Sequence, residues 1–300
     1  MKKVLVTGGT GTIGSAFIEQ YENKYRITCL GHSEKRLREL VIRTGSLPAF
    51  LCPVEDRQSV FTVYERVQPD IVIHAAAIKH IDFADKQPLR TTDVNVLGSR
   101  NIIEASRHFR VPITIAISTD KASGPRSVYG YTKLLMEKCV LEANQDQTKF
   151  AVCRFGNVVG SAGSVIPIWR EQAAKGLPIS ITDERMNRFM FSVRDAIGLV
   201  QKAIEMCETG DGGFVLTKLM KVVNVADLAR CFSSDMNVIG IRPGEQLDEC
   251  LFNDEEASRA EMIGDFIRIG DKVVDQFSGK YVTQTAEKMT TEELHELIKA

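Results

Sequence analysis

Residues 4 to 14 read VLVTGGTGTIG. A β-branched apolar run passes directly into glycines, and the apolar spacing of a helix follows at once. Gly8 allows a tight turn, Gly11 lets a pyrophosphate approach the backbone, and Gly14 lets the helix pack closely. The N–H groups at the start of the helix add donors and a positive dipole for phosphate. The stretch therefore predicts a dinucleotide-binding strand, turn and helix.

The first half of the chain continues this alternation of strands and helices. Strands are predicted at 3–6, 26–30, 49–52, 71–74, 113–118 and 150–154. Amphipathic helices are predicted between them, for example at 13–21, 59–67, 95–109 and 129–143. Such alternation predicts an α/β fold built on a doubly wound parallel sheet, that is, a Rossmann fold.

The rhythm changes after Asn157, where proline and glycine separate shorter elements. We therefore expect a dinucleotide-binding domain at 1–157, completed by returning segments of the C-terminal half, and a smaller substrate lobe mainly at 158–300. The last segment, 290–300, predicts a terminal helix with Thr290 as its N-cap.

Composition excludes several classes of function. The net charge of -1 arises from mixed acidic and basic residues, so no nucleic-acid or membrane-surface partner is expected. The first strand begins too early for a signal peptide, and no apolar run is long enough to span a membrane, so we expect a cytoplasmic protein. The seven cysteines are widely spaced without a C-x-x-C pair, which predicts reduced thiols and no metal site.

The choice of cofactor depends on the end of the second strand. An Asp or Glu there would bind the ribose 2'-hydroxyl and repel a 2'-phosphate. This chain has instead the possible donors His32, Ser33, Lys35 and Arg36, so NADP is favoured over NAD. Other candidate cofactor contacts are Thr10, Thr12, Ile13, Ala75, Ala76, Ala77, Lys79 and Asn95.

The segment ISTDKASGPRSVYGYTK, residues 117–133, begins where a predicted buried strand ends. The carboxyl edge of a parallel sheet is where ligands bind. Tyr129 and Lys133 form a Y-x-x-x-K pair on one helical face. We expect the Lys133 ammonium to lower the pKa of Tyr129, so that the phenolate can take a hydroxyl proton as hydride leaves.

With these motifs the sequence resembles the extended short-chain dehydrogenase/reductases. More narrowly, it resembles the inverting UDP-N-acetylglucosamine 4,6-dehydratases of the pseudaminic acid and CapD-like polysaccharide pathways. The resemblance runs from Lys3 to about Leu251. The matching segments are TGGTGTIG (7–14), HAAAIKH (74–80), STDK (118–121), YGYTK (129–133), RFGNVVGS (154–161), GSVIP (163–167), ITDERMNRF (181–189) and GIRPGEQL (240–247).

The resemblance implies roles for the triplet Thr119, Asp120 and Lys121. After oxidation at C4 of the sugar, Lys121 would remove the C5 proton and Asp120 would assist loss of water from C6. These roles require burial to lower the pKa of Lys121 and to raise the pKa of Asp120. The resemblance also implies that Asn95 braces the active-site helix.

The same resemblance implies a UDP-sugar substrate and a homo-oligomer. Asn157 would contact the pyrophosphate, and Ser164 and Val165 would line the nucleotide. Guanidinium groups suit phosphate oxygens, and a carboxylate suits ribose hydroxyls. The remaining candidate substrate contacts are Lys79, Arg188, Arg242 and Glu245.

Three departures from the family pattern keep alternatives open. Pro53 stands where many relatives have Asp, Ala162 where a basic residue is frequent, and 81–83 replaces a more usual Val-Pro segment near the sugar. One alternative is a 5,6-dehydratase that releases an alkene. Others are a C4 epimerase or reductase that uses Tyr129 and Lys133 alone, and a regulatory module that binds nucleotide without catalysis.

Overall fold

The predicted parallel sheet forms the centre of the fold. The structure, a computed structural model, describes residues 1–145, 147–161 and 163–299. Its strands are β1 (Lys3–Thr7), β2 (Arg26–Gly31), β3 (Ala49–Leu51), β4 (Ile71–His74), β5 (Ile113–Thr119), β6 (Lys149–Phe155), β7 (Asn157–Val158), β8 (Ile179–Ile181), β9 (Asn187–Phe191), β10 (Phe214–Lys218), β11 (Val222–Asn224), β12 (Met236–Val238), β13 (Cys250–Phe252), β14 (Ala260–Ile263), β15 (Phe266–Ile269) and β16 (Tyr281–Val282).

Helices connect these strands. They are α1 (Thr12–Tyr21), α2 (Glu34–Thr44), α3 (Arg57–Val67), α4 (Ile81–Lys86), α5 (Pro88–Thr92), α6 (Gly98–His108), α7 (Val128–Glu142), α8 (Val165–Ala174), α9 (Val193–Thr209), α10 (Val225–Arg230), α11 (Asp254–Ala257) and α12 (Thr291–Lys299). A π-helical turn at Asp93–Leu97 precedes α6, and a short 3₁₀ turn at Asp120–Ala122 follows β5.

The main sheet has the order β14-β15-β10-β6-β5-β4-β1-β2-β3. From β3 to β10 every neighbouring pair is parallel, and β15 and β14 add an antiparallel edge. The doubly wound sheet is thus confirmed, and β10, β14 and β15 are the segments of the C-terminal half that return to it. In register, Thr7 pairs with Leu30 and His74, so these strands end together at one edge.

The two faces of the sheet are covered by different helices. Val4 and Val6 belong to the same buried cluster as Phe17 of α1, whereas Leu5 belongs to a second cluster with Ile102 of α6. Because successive side chains of a strand point to opposite faces, α1 and α6 lie on opposite sides of β1. Helix α9 packs beside α1, and α3 packs beside α6.

A third buried cluster lies around Trp169 in the C-terminal half. It joins α8, α10 and the short strands β8 and β9. Helix α12 covers it with Leu294, and the predicted N-cap is confirmed, because Thr290 Oγ1 accepts from Glu293 N at 3.3 Å. Ala300 lies outside the described residues.

The predicted start of the helix at 95–109 is wrong. A helical segment begins at Pro88 and passes through the π-helical turn before α6 begins at Gly98. Gly98 packs on Val54, whose Cγ2 would lie 2.7 Å from an added Cβ. Asn95 lies within this π-helical turn, which a periodicity of 3.6 residues does not predict.

Two expectations from composition concern thiols and membranes. All seven cysteines lie within the described residues as free thiols. In the part of the chain that the structure describes, no helix has both the length and the apolar character to cross a membrane.

Candidate active site

The glycine turn after β1 is shaped by backbone contacts. Gly8 has φ +65°, and a Cβ placed on it would lie 2.6 Å from the nitrogen of Ala76. A Cβ on Gly14 would lie 2.6 Å from the carbonyl oxygen of Gly8. Gly11, which has no side chain, occupies the N-cap of α1. The turn therefore fits a dinucleotide pyrophosphate, which needs close backbone and helical N–H donors.

The predicted 2'-phosphate contacts lie where β2 passes into α2. His32 is exposed directly after the strand. Ser33 caps α2 by accepting from Arg36 N at 3.5 Å, and Lys35 and Arg36 are exposed in the first helical turn. The chain thus offers imidazole, hydroxyl and cationic donors at the position that selects the cofactor. The preference for NADP over NAD stays a prediction.

The end of β4 lies beside the glycine turn. Ala76 N donates to Thr7 Oγ1 at 3.4 Å, and Ala75 to Ala77 are partly buried. Lys79 is exposed beyond them. Asn95 Oδ1 accepts from Ile78 N at 2.8 Å, and its Nδ2 donates to the Ile78 carbonyl at 3.0 Å and to Thr132 Oγ1 at 3.1 Å. Asn95 therefore ties the loop after β4 to α7.

His74 is buried at the end of β4, where its side chain has a structural role. Its Nδ1 lies 2.8 Å from Thr7 Oγ1, and its Nε2 lies 2.9 Å from Ser99 Oγ. Burial, followed by the nearby charge of Lys133, lowers the pKa of His74 to about 3. The imidazole is therefore neutral at physiological pH and joins two elements of the core.

Helix α7 carries the Y-x-x-x-K pair. Lys133 Nζ donates to the carbonyl oxygen of Ile117 at 2.5 Å. Burial lowers the pKa of Lys133 to about 8, although the charge of Glu137 opposes this shift. The partly exposed Tyr129 lies one helical turn earlier on the same helix.

The predicted effect of Lys133 on Tyr129 is wrong. Burial raises the pKa of Tyr129 to about 12, while the charge of Lys121 and a hydrogen bond with Thr119 pull it down. The reason is geometric, because Lys133 directs its ammonium at the strand carbonyl. In this structure the cation that favours the phenolate comes from the loop after β5.

That loop contains a cluster of buried charges. Lys121 Nζ lies 3.1 Å from Asp120 Oδ1, 2.6 Å from Glu249 Oε1 and 3.3 Å from Asn157 Oδ1. Arg188 Nε lies 3.3 Å from Glu249 Oε1. The Asp120 side chain is fully buried, whereas the Lys121 side chain is 18% exposed. Thr119 Oγ1 donates to Asp120 Oδ1 at 2.9 Å.

The charges in this cluster shift one another. Burial and the charge of Glu249 raise the pKa of Asp120 above its usual range, although Lys121 opposes the shift. The expectation for Asp120 is therefore confirmed. The expectation for Lys121 is wrong, because the two carboxylates outweigh burial and hold the pKa of Lys121 above its usual range. A carboxyl group with a raised pKa and a charged ammonium thus adjoin the Tyr129 hydroxyl.

Glu249 is the site residue that the sequence analysis missed. It lies directly before β13, in the C-terminal half of the chain, and is 5% exposed. A carboxylate two positions beyond the matching segment GIRPGEQL (240–247) was the available signal. Nothing in the spacing of the residues connects Glu249 with Lys121, because the fold brings them together across more than a hundred positions.

The predicted substrate contacts fall into two groups. Asn157 and Arg188 belong to the charge cluster, where Asn157 Nδ2 donates to Glu249 Oε2 at 3.1 Å. Arg188 also donates to the carbonyl oxygens of Asn187 at 2.7 Å and Leu247 at 3.3 Å. Ser164, Val165, Arg242 and Glu245 form the second group.

Arg242 and Glu245 form an ion pair of 2.7 Å, so the predicted ribose acceptor already binds a guanidinium. Ser164 is the N-cap residue of α8, which begins at Val165. Within the described residues its Oγ is buried without a hydrogen-bond partner. Ala162, one of the departures noted in the sequence, lies outside the described residues.

Comparison with known proteins gives consistent matches over most of the chain. The sequence profile of a family described as polysaccharide biosynthesis protein matches residues 4–271. The inverting UDP-N-acetylglucosamine 4,6-dehydratase of Campylobacter jejuni subsp. jejuni serotype O:23/36 is 33% identical, over 96% of this chain and 89% of that protein. The UDP-glucose 4-epimerase of Rickettsia canadensis is 30% identical, over 96% of this chain and 88% of that protein. Among solved structures, Pen from Bacillus thuringiensis superposes with a TM-score of 0.93 and 29% identity, over 99% of this chain and 97% of that one.

Proposed function

This chain belongs to the polysaccharide biosynthesis protein family of extended short-chain dehydrogenase/reductases, and we propose that it is a UDP-N-acetylglucosamine 4,6-dehydratase. Its relatives include both sugar-nucleotide dehydratases and epimerases, so membership alone supports an enzyme that acts on a nucleotide sugar. The proposal is narrower. It holds that the enzyme binds NADP, oxidises C4 and eliminates water across C5 and C6, with inversion at C5.

One observation carries the proposal. Asp120 and Lys121 are buried together beside Tyr129, at the carboxyl end of β5. An epimerase or a simple reductase needs a Tyr and a Lys that move protons and hydride at C4, and it would leave this second acid and base idle. A buried acid and a buried base whose pKa values are shifted are typical of functional sites. The pair supports a second proton-transfer step.

Each residue receives a role in this proposal. Tyr129 accepts the proton of the C4 hydroxyl, assisted by the positive charge of Lys121. A bound dinucleotide would supply the hydride transfer at C4 and the later return of hydride to the sugar. Lys121 takes the C5 proton, which the C4 ketone has made acidic. Asp120 donates a proton to the departing C6 hydroxyl, so that water leaves.

The remaining candidates are proposed to bind rather than react. The glycine turn and the donors after β2 would hold the dinucleotide, with Lys133 oriented by the Ile117 carbonyl toward it. Asn157, Ser164, Arg188 and Arg242 would surround the UDP group. Because Arg242 already pairs with Glu245, the two side chains would have to separate or act as one unit when the nucleotide binds.

The test is incubation of the purified protein with UDP-N-acetylglucosamine and NADP in deuterium oxide, followed by mass spectrometry and proton NMR. We expect a product lighter by one water, with a new C6 methyl signal, deuterium at C5, and couplings that report inversion there. Two vinyl protons without a methyl signal would instead identify the 5,6-dehydratase. Retention of all oxygen atoms would overturn the proposal in favour of the epimerase, the reductase or the binding module.

A further inference from the structure

The proposed mechanism leaves Glu249 unused, although it makes the shortest contact in the cluster. The three oxygens around Lys121 Nζ belong to Asp120, Asn157 and Glu249, at 3.1, 3.3 and 2.6 Å. A lysine ammonium has three N–H donors and no acceptor. All three donors are therefore satisfied, and Lys121 cannot remove a proton from carbon until it has given up one of its own.

Glu249 itself is rigidly placed. Its Oε2 accepts from Asn157 Nδ2 at 3.1 Å, and its Oε1 lies 3.3 Å from Arg188 Nε. Its backbone N–H donates to Thr283 Oγ1 at 3.0 Å. Burial alone would raise the pKa of Glu249, but the charges of Lys121 and Arg188 outweigh burial and lower it. Glu249 is thus a fixed anion that faces both members of the proposed acid and base pair.

We propose that Glu249 is a positioning residue of the elimination step, which fixes the Lys121 ammonium against Asp120 so that one proton passes between them. This inference rests on the proposed dehydratase function. It concerns neither C4 oxidation nor cofactor binding. Its physical basis is the 2.6 Å contact, which holds Lys121 on the same side as the Asp120 carboxylate.

The protons balance over one cycle. Lys121 in its ammonium form transfers a proton to the Asp120 carboxylate, which gives a neutral amine and a carboxylic acid. The amine takes the C5 proton, and the electron pair of that C–H bond forms the C5–C6 double bond as the C6–O bond breaks. Asp120 donates its proton to the departing hydroxide, so water leaves. Lys121 is again an ammonium and Asp120 again a carboxylate.

The fixed charge of Glu249 sets the pH at which this exchange works. Glu249 contributes to raising the pKa of Asp120 and also the pKa of Lys121. The elimination needs neutral Lys121 together with protonated Asp120, so its optimum lies between their two pKa values. Because removal of the Glu249 charge lowers both pKa values, it moves the optimum of the elimination to lower pH.

The experiment compares Glu249→Gln, which removes the charge but keeps the shape, with Glu249→Asp, which keeps the charge. Glu255→Gln is the control, because Glu255 is a 79% exposed carboxylate of the same C-terminal half. Two rates are followed against pH with bound NADP and UDP-N-acetylglucosamine. Absorbance of the reduced nicotinamide in a single turnover reports C4 oxidation, and mass spectrometry in deuterium oxide reports C5 exchange and water loss.

We expect Glu249→Gln to slow C5 exchange and water loss by about 100-fold, the usual scale of acid–base assistance. The reduced nicotinamide should accumulate, the KM for the sugar nucleotide should change little, and the optimum of the elimination should shift to lower pH. Glu249→Asp should restore the optimum of the unaltered protein, and Glu255→Gln should match it in both rates.

The inference is overturned if Glu249→Gln keeps the original pH optimum, or if oxidation and elimination fall by the same factor. If Glu249→Gln does not fold, Glu249→Asp tests the inference instead. A shifted pH optimum of the elimination in that variant, which retains the charge, would also contradict the proposed role. A different result bears on the function itself. If the unaltered protein releases no water, the dehydratase proposal fails, whatever the variants do.

Discussion

Two lysines of the site show how strongly the pKa of a side chain depends on its immediate neighbours. Lys133 meets a neutral carbonyl oxygen, and burial lowers its pKa to about 8. Lys121 meets two carboxylates, which hold its pKa above the usual range despite burial. The side chains are chemically identical, so the difference arises from the placement of Asp120 and Glu249. A role assigned by residue type alone would treat both lysines alike.

Gly8 allows a prediction at the same scale. Gly8 and Gly176 both have φ +65°, but an added Cβ at Gly8 would collide with Ala76, whereas none of the described residues lies within 4 Å of a Cβ at Gly176. We expect Gly176→Ala to lower the free energy of unfolding by about 1 kcal/mol, through the left-handed backbone. Gly8→Ala should lose about 1 to 3 kcal/mol more through overpacking.

Urea denaturation of both variants measures this difference, and fluorescence titration measures NADPH affinity. Gly8→Ala should also weaken binding of the dinucleotide, because the glycine turn must move away from Ala76. Gly176→Ala, far along the chain in the C-terminal half, should bind it normally. Equal losses of stability in the two variants would contradict this prediction, because they would show that the Ala76 backbone can move to accommodate the added Cβ.

At the scale of elements, α7 is the helix that presents Tyr129 and Lys133. Its first N–H groups are satisfied by side chains, since Ser127 Oγ accepts from Gly130 N at 3.2 Å and Asp85 Oδ1 accepts from Val128 N at 2.8 Å. Asp85 belongs to α4, so the start of α7 is anchored to a neighbouring helix. The direction of the catalytic pair is therefore fixed at the end of the helix that holds it.

The cap of α7 predicts a graded loss of stability. Ser127→Ala removes the hydroxyl acceptor and should lower the free energy of unfolding by about 1 kcal/mol. Ser127→Gly should lose only a few tenths of a kcal/mol, because glycine is tolerated at the N-cap. Chemical denaturation of the two variants and the unaltered protein provides the measurement. A Ser127→Gly variant that is less stable than Ser127→Ala would contradict the capping role of Ser127.

At the scale of the whole molecule, one buried arginine joins the two halves of the chain. Arg154 of β6 is fully buried and binds Glu137 of α7 at 2.6 Å and Glu256 of α11 at 2.7 Å. It also donates to the carbonyl oxygen of Leu251 at 2.9 Å. Glu137 follows Lys133 on α7, and Glu256 follows Glu249 in the C-terminal half. The triad of Arg154, Glu137 and Glu256 therefore connects the catalytic helix with the segment that supplies Glu249.

Breaking this triad should destabilise the whole protein. Arg154→Met leaves two buried carboxylates without their cation, and we expect a loss of about 3 to 5 kcal/mol in the free energy of unfolding. Adding Glu137→Gln and Glu256→Gln to the same chain removes the stranded charges and should recover much of that loss. Denaturation curves of the single and triple variants test this. A triple variant no more stable than Arg154→Met would show that the guanidinium acts through packing and not through charge.

The parallel sheet, the glycine turn, and the positions of Tyr129, Asp120 and Lys121 at the carboxyl edge of the sheet could all be predicted from the sequence. These follow from local rules, because strand and helix periodicity and a glycine turn involve residues that are close along the chain. The pKa shifts of the site could not be predicted in this way, because they depend on contacts between distant parts of the chain. Glu249 and Arg188 arrive from the C-terminal half, and Lys133 turns to the Ile117 carbonyl. Electrostatic shifts depend on distances of a few ångströms in a buried setting, and such distances are set by the packing of elements remote in sequence.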